Sequence, residues 1–182
     1  MKVNLLITGP PGVGKSSLVN QIVREARERN LMVGGIITPE QRVLMQGKNV
    51  RVGFFIVNLL SNEQDFLAKA DLKSEYRVGK YGVILENIKS IGVRAIREAI
   101  QKANLIVIDE IGKMELLAPE FAVAVREAFD SPKPVLGTIG KNVQHPFVEE
   151  IKRRRDVEII NLTRNNREMI YKRIFSEIIG AV

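Results

Sequence analysis

Residues 3–18 read VNLLITGPPGVGKSSL. An apolar run from Val3 to Thr8 meets a glycine- and proline-rich turn. An amphipathic stretch follows, in which Leu18, Val19, Ile22, Val23 and Ala26 fall on one face of a helix. This is a strand–loop–helix unit. Within it Gly9, Pro10, Pro11, Gly12, Val13, Gly14, Lys15 and Ser16 spell G-x-x-x-x-G-K-[ST], with Ser17 next. Gly12 and Gly14 let the backbone turn so that several N–H groups point into one concavity, where the helix N-terminus adds positive potential. Lys15 can reach the β- and γ-phosphates of a nucleotide, and the Ser16 hydroxyl can ligate Mg²⁺. The motif in this strand–helix context implies binding of a nucleoside triphosphate.

Such a loop needs a carboxylate at the end of a neighbouring strand to hold Mg²⁺ through water. LIVIDE, Leu105 to Glu110, supplies it: an apolar run, then Asp109 on the metal side and Glu110 as general base for an attacking water. Nucleotide-binding chains with such a glutamate usually carry a further strand between the loop's strand and the acidic one. VLGTI is the natural candidate for it, with Thr138 facing the γ-phosphate; a threonine that merely caps the strand is the alternative.

Composition narrows the chemistry. The 182 residues carry 28 Lys+Arg against 21 Asp+Glu, a formal charge of +7 that suits anionic partners without choosing among nucleotides, nucleic acid and acidic membranes. With 45% hydrophobic and 27% charged residues the chain is neither disordered, nor collagen-like, nor a coiled-coil rod. No cysteine is present, so disulfides, thiolate metal sites and cysteine nucleophiles are excluded, and His145 alone cannot make a histidine-clustered metal site. Catalysis must run on carboxylates, lysine, arginine and hydroxyls. The N-terminal apolar stretch stops at Ile7, too short for a signal-peptide core, and no run approaches the roughly 20 apolar residues that span a bilayer. A cytoplasmic protein with no membrane partner is the expectation.

The remaining pattern reads as one α/β domain over residues 1–182. Short apolar runs broken by glycine, from about 39 to 85, predict a β-rich insertion with a hairpin at Gln46-Gly47-Lys48-Asn49. A helical period returns from Asn87 through Ile88, Ile91, Ala95, Ile96, Ala99 and Ile100. LIVID follows as a strand buried on both faces, then a helix through Phe121, Val125 and Phe129, the strand PVLGTI, a helix ending in Lys152-Arg153-Arg154-Arg155, the strand VEIIN and a closing helix. This alternation predicts a mostly parallel sheet with helices on both faces.

GPPGVGKS, DEIGKMEL and LGTI together resemble the small P-loop nucleoside-triphosphatases of thermophiles, archaea and animals, the cancer-related nucleoside-triphosphatase family. TPEQR (38–42), VRVGFFIVNL, YRVGKYGV, VEEIKRRRDVEII and NLTRNNR (161–167) extend the likeness over nearly the whole chain. The resemblance implies a P-loop NTPase fold with a RecA-like core, and Mg²⁺-dependent hydrolysis of ATP, GTP and other triphosphates to diphosphates. Carried over by position, Gly9 to Ser16 bind phosphates, Asp109 and Glu110 form the acidic pair, and Gly112 and Lys113 line the site. Ser16-Ser17 stands where many members carry two threonines, and Pro39 where acidic residues are common.

Two rival functions share the loop: a nucleotide or nucleoside kinase, and a nucleic-acid-associated module with slow turnover. No arginine-rich lid favours the first. No N-K-x-D element for guanine is present, and aromatics at 5% disfavour nucleic acid as a partner. A monomer is the expected state. The Lys152–Arg155 run reads as cations at a helix end, with an arginine finger as its sharper alternative. Thr163 to Arg167 lies where a base could rest or where Asn165 could cap a helix, and Tyr76 and Tyr81 either cover the nucleotide or pack on the core.

Overall fold

Apolar runs bounded by glycine or proline form strands here, and runs with a 3.6-residue apolar period form helices. The computed structural model describes residues 2–182. The chain begins with β1 (Asn4–Thr8), α1 (Lys15–Glu28), β2 (Val33–Ile37), β3 (Glu40–Met45) and β4 (Lys48–Asn58). Then come β5 (Gln64–Ala70), β6 (Arg77–Val78), β7 (Tyr81–Val83), α2 (Leu85–Asn87) and α3 (Arg94–Lys102). It ends with β8 (Leu105–Ile111), α4 (Pro119–Asp130), β9 (Val135–Ile139), α5 (Pro146–Arg153), β10 (Glu158–Asn161) and α6 (Arg167–Ala181).

The strands form a 10-stranded sheet in the order β10-β1-β9-β8-β2-β4-β5-β7-β6, with β3 on β4 off this path. From β10 to β2 every pairing is parallel. Beyond β2 every pairing is antiparallel. The fold is therefore α/β with a parallel centre. As expected, β9 lies between β1 and β8.

Both faces of the parallel part are covered, which is why its strands read as unbroken apolar runs. Leu105 and Val107 of β8 pack with Leu18 and Ile22 of α1 and Ile170 and Ile174 of α6. Ile106 and Ile108, pointing the other way, pack with Ile96 of α3, Phe121 and Phe129 of α4 and Ile151 of α5. The apolar stripe expected on α1 is buried at all five positions, Leu18, Val19, Ile22, Val23 and Ala26. A π-helical stretch, Ile88–Val93, joins α2 to α3, so the helix begins earlier than its period suggested and its buried face shifts at Gly92.

The β-rich segment does not sit apart from the sheet; it continues it. β2 and β3 follow one another along the same edge of β4, Ile37 opposite Val57 and Glu40 opposite Phe54, with a gap at Thr38-Pro39 and a register shift between Gln41 and Arg42. Across this gap the Phe55 N–H still donates to the Pro39 carbonyl at 2.9 Å. The turn at Gln46-Gly47, φ 49° and 74°, closes the hairpin. β4 spans 11 residues against 5 in β2, so its first half, with β3 and β5, projects past the carboxyl ends of the parallel strands. This arm walls a cleft at the end of the sheet where α/β ligand sites lie.

Gly35 holds β2 against β8. Its φ is +102°, and a Cβ there would stand 2.0 Å from the Val107 carbonyl oxygen. Gly35→Ala is expected to destabilise the fold by about 3 kcal/mol or more, read as a lowered urea midpoint at unchanged slope.

Candidate active site

The glycine-rich loop opens α1. Gly14 stands before the helix at φ 103°, ψ 25°, a left-handed conformation that a side chain would strain. The first amides of α1 have no intrahelical acceptor, which leaves them free for an anion. Lys15 folds back over the loop, its Nζ donating to the Gly9 carbonyl at 2.7 Å and to that of Pro10 at 3.4 Å.

Asp109 ties the loop to the sheet. The Ser16 hydroxyl donates to Asp109 Oδ1 at 3.2 Å, and the Thr138 hydroxyl donates to the same oxygen at 2.6 Å. From β2's end, the Thr38 hydroxyl donates to the Asp109 backbone carbonyl at 2.9 Å. Burial pushes the Asp109 carboxyl upward, while the Thr138 and Ser16 bonds and the Lys15 charge favour its ionised form.

Two further carboxyl groups crowd this end of β8. Burial, then the charge of Asp109, raises the Glu110 carboxyl above the ordinary range, and Lys15 opposes that rise. Glu115, only 3% exposed, was not among the expected site residues. Burial, with the Glu110 charge next, pushes it up to about 8. Gly112 makes room for both glutamates: a Cβ there would lie 2.8 Å from Glu115 Oε2 and 3.2 Å from Glu110 Cγ. The signal for Glu115 was present in DEIGKMEL, but a glutamate five positions past Glu110 returns beside it only because the chain reverses at Gly112.

These groups line one cleft of about 720 Å³, with Gly9, Pro11, Gly12, Gly14, Lys15, Ser16, Ser17, Asp109, Glu110, Gly112 and Lys113 on its walls. Three expected residues stand off it. Val13 packs under the loop against the core, its N–H donating to the Pro10 carbonyl at 3.2 Å, and Pro10 faces outward. Thr138 is fully buried behind Asp109, which it orients instead of facing the cleft. Thr38, Arg51 and the 140–143 loop line the cleft without having been singled out.

The Lys152–Arg155 run lies away from the cleft, because α5 runs back from the carboxyl ends of the strands; Arg154 pairs there with Asp130 and Asp156, each at 2.7 Å. Asn166, not Asn165, organises the turn before α6, accepting from the Thr163 N–H at 2.7 Å. Arg167 donates to the Ser17 hydroxyl at 3.3 Å, beside the loop. His145 caps α5, its Nδ1 accepting from the Phe147 N–H at 3.0 Å. Tyr81 is buried on the core and Tyr76 is exposed. Among the described residues no helix is long and apolar enough to cross a membrane.

A family model described as NTPase matches residues 4–175. The chain belongs to this nucleoside-triphosphatase family. Nucleoside-triphosphatase THEP1 of Thermotoga maritima is 45% identical over 174 residues, covering 96% of this chain and 94% of that protein. Its counterpart from Methanocaldococcus jannaschii is 38% identical over 180 residues, covering 99% of each. The crystal structure of THEP1 from the hyperthermophile Aquifex aeolicus superposes with a TM-score of 0.79 at 33% identity, covering 98% of this chain and 99% of that one. The solution structure of a human cancer-related nucleoside triphosphatase gives 0.79 at 34%, covering 98% and 97%.

Glu115 makes stability depend on pH. Its proton is held to about pH 8 when folded, against an ordinary value of 4.5, so its contribution is complete below about 4.5 and is lost as pH rises through 8. Urea midpoints between pH 5 and 9 should fall with rising pH in the wild type, and fall less in Glu115→Gln, which keeps the shape without the proton.

Proposed function

We propose that this protein is a P-loop nucleoside-triphosphatase of the cytoplasm that hydrolyses ATP, GTP and other triphosphates to the diphosphate and phosphate with Mg²⁺. The reading rests above all on the meeting of Lys15, Ser16, Asp109 and Glu110 in one cleft. The backbone of Gly12 to Ser17 would cradle the α- and β-phosphates, and Lys15, giving up the Gly9 carbonyl, would pair with the β- and γ-phosphates.

The donor set suits a small hard cation. The Ser16 hydroxyl and the Asp109 carboxylate lie 3.2 Å apart, both are oxygen ligands, and hydroxyls alone bond the buried carboxylate. Ser16 and Asp109 would hold Mg²⁺, Asp109 through water. When bound, the ion supplies charge neutralisation on the phosphate oxygens.

Glu110 is the proposed general base. Its carboxyl is raised by burial and by Asp109, which makes it a stronger acceptor for a water proton than a surface glutamate, and the Lys15 charge opposes that rise. Thr138 and Thr38 act through Asp109, holding its carboxylate and its backbone. The nucleoside would leave the loop past Ser17, where Arg167 donates to the Ser17 hydroxyl.

With Mg²⁺, phosphate release is expected from ATP, GTP, CTP and UTP alike. Glu110→Gln should lower kcat by about 10²–10⁴ while nucleotide binding survives. Lys15→Ala should weaken both binding and turnover. Undiminished turnover in Glu110→Gln would refute the assigned base.

A further inference from the structure

The cleft is longer than a phosphate site. With a triphosphate on the loop, Ser17 marks the nucleoside end and Glu110 the γ-phosphate end, because loop amides take the α- and β-phosphates and Lys15 the β- and γ-phosphates. The same cavity also takes in Phe54, Leu67 and Val78 under the projecting arm, and these pack with the core on the face of the sheet opposite α1, the helix that carries Ser17. The substrate's own nucleoside, leaving past Ser17, is directed away from that space.

This chamber differs in chemistry from the loop. Phe54 and Leu67 of the arm and Val78 of β6 give it apolar walls, and Met114 and Val143 line it from the parallel side. Arg51 stands on its wall with its guanidinium held in place: Nε donates to the Tyr81 hydroxyl at 2.8 Å and Nη1 to Glu40 at 3.0 Å, while Nη2 donates to no group among the described residues. Lys113 and Lys141 also line the cleft, and neither forms an ion pair among the described residues. An apolar pocket with cations on its wall suits a ligand with a flat apolar body and an anionic group. A phosphomonoester, with close to two charges and three acceptor oxygens, matches several cations where a carboxylate would match one.

We propose that this chamber is a second ligand site, distinct from the triphosphate site, that takes a nucleoside monophosphate with its base against Phe54, Leu67 and Val78 and its phosphate on Arg51, Lys113 and Lys141. The proposal rests on the triphosphatase reading, since it needs the triphosphate to lie on the loop. The chamber then faces the γ-phosphate and Glu110 across the cleft.

Calorimetric titration in two stages tests both readings separately. A non-hydrolysable ATP analogue with Mg²⁺ is titrated first, and AMP is then titrated into the saturated protein. The expected result is one AMP bound per chain with the loop filled. Arg51→Ala should weaken that binding about tenfold or more, and Val78→Trp, which fills the chamber, should abolish it, with analogue binding intact in both as proof of folding. AMP that binds only analogue-free protein, does not bind the saturated protein, or binds both variants as tightly as wild type would overturn the second site while leaving the triphosphatase reading in place. Failure of the analogue itself to bind would remove both.

Discussion

A buried carboxylate at the end of a central strand organises this molecule. Asp109 is 5% exposed, and a charge in that position is tolerable only if hydrogen bonds replace the water it has lost. Ser16 and Thr138 supply them to one side-chain oxygen, and Thr38 fixes the peptide carbonyl. The three hydroxyls come from the loop-bearing helix, from β9 and from the end of β2. Strand order is what brings them together, because β9 must lie between β1 and β8, and β2 on the far side of β8. The cost of an unpaired buried charge therefore couples the parallel sheet to the geometry of its loop.

The acidic end of β8 and the cationic loop balance one another across a narrow gap. Glu110 and Glu115 gather beside Asp109, and burial and mutual repulsion raise their carboxyl groups. Lys15 is the cation that opposes the rise at Asp109 and Glu110. A ligand that draws Lys15 away from Gly9 would shift this balance, so binding and the proton affinity of the proposed base are linked. Gly112 permits the arrangement, since any Cβ there would fall between the two glutamates.

The antiparallel arm sets the shape of the cleft. A parallel core alone would present the loop and the acidic strand on an open edge. The length of β4 carries β3 and β5 beyond that edge, and Arg51, Phe54 and Leu67 thereby acquire a place in the same cavity as Lys15. Arg51 owes its fixed position to Tyr81 on β7 and to Glu40 at the start of β3, contacts that span the width of the arm.

Features written in local order were legible in the chain itself. The strand–loop–helix unit, the stripe of α1, the apolar run of β8 and the Gln46-Gly47 turn depend on residues a few positions apart, and backbone sterics and hydrophobic periodicity decide them. Asp109 and Glu110 were legible for the same reason, at the end of an unmistakable buried strand. Contacts between distant segments were not. Thr138 was placed on the right strand but turned out to serve Asp109, because its hydroxyl's nearest partner is a residue 29 positions away. The basic run at 152–155, read as cations at a helix end with an arginine finger as its alternative, lies away from the cleft because α5 runs back from the carboxyl ends of the strands and pairs Arg154 with Asp130 and Asp156. Thus the amino-acid sequence by itself determined the parallel α/β plan, the phosphate-type loop and the acidic strand. Only tertiary structure decided the burial of Glu115, the roles of Thr38 and Thr138, and the arm-walled chamber, since each depends on which distant groups share a space closed to water.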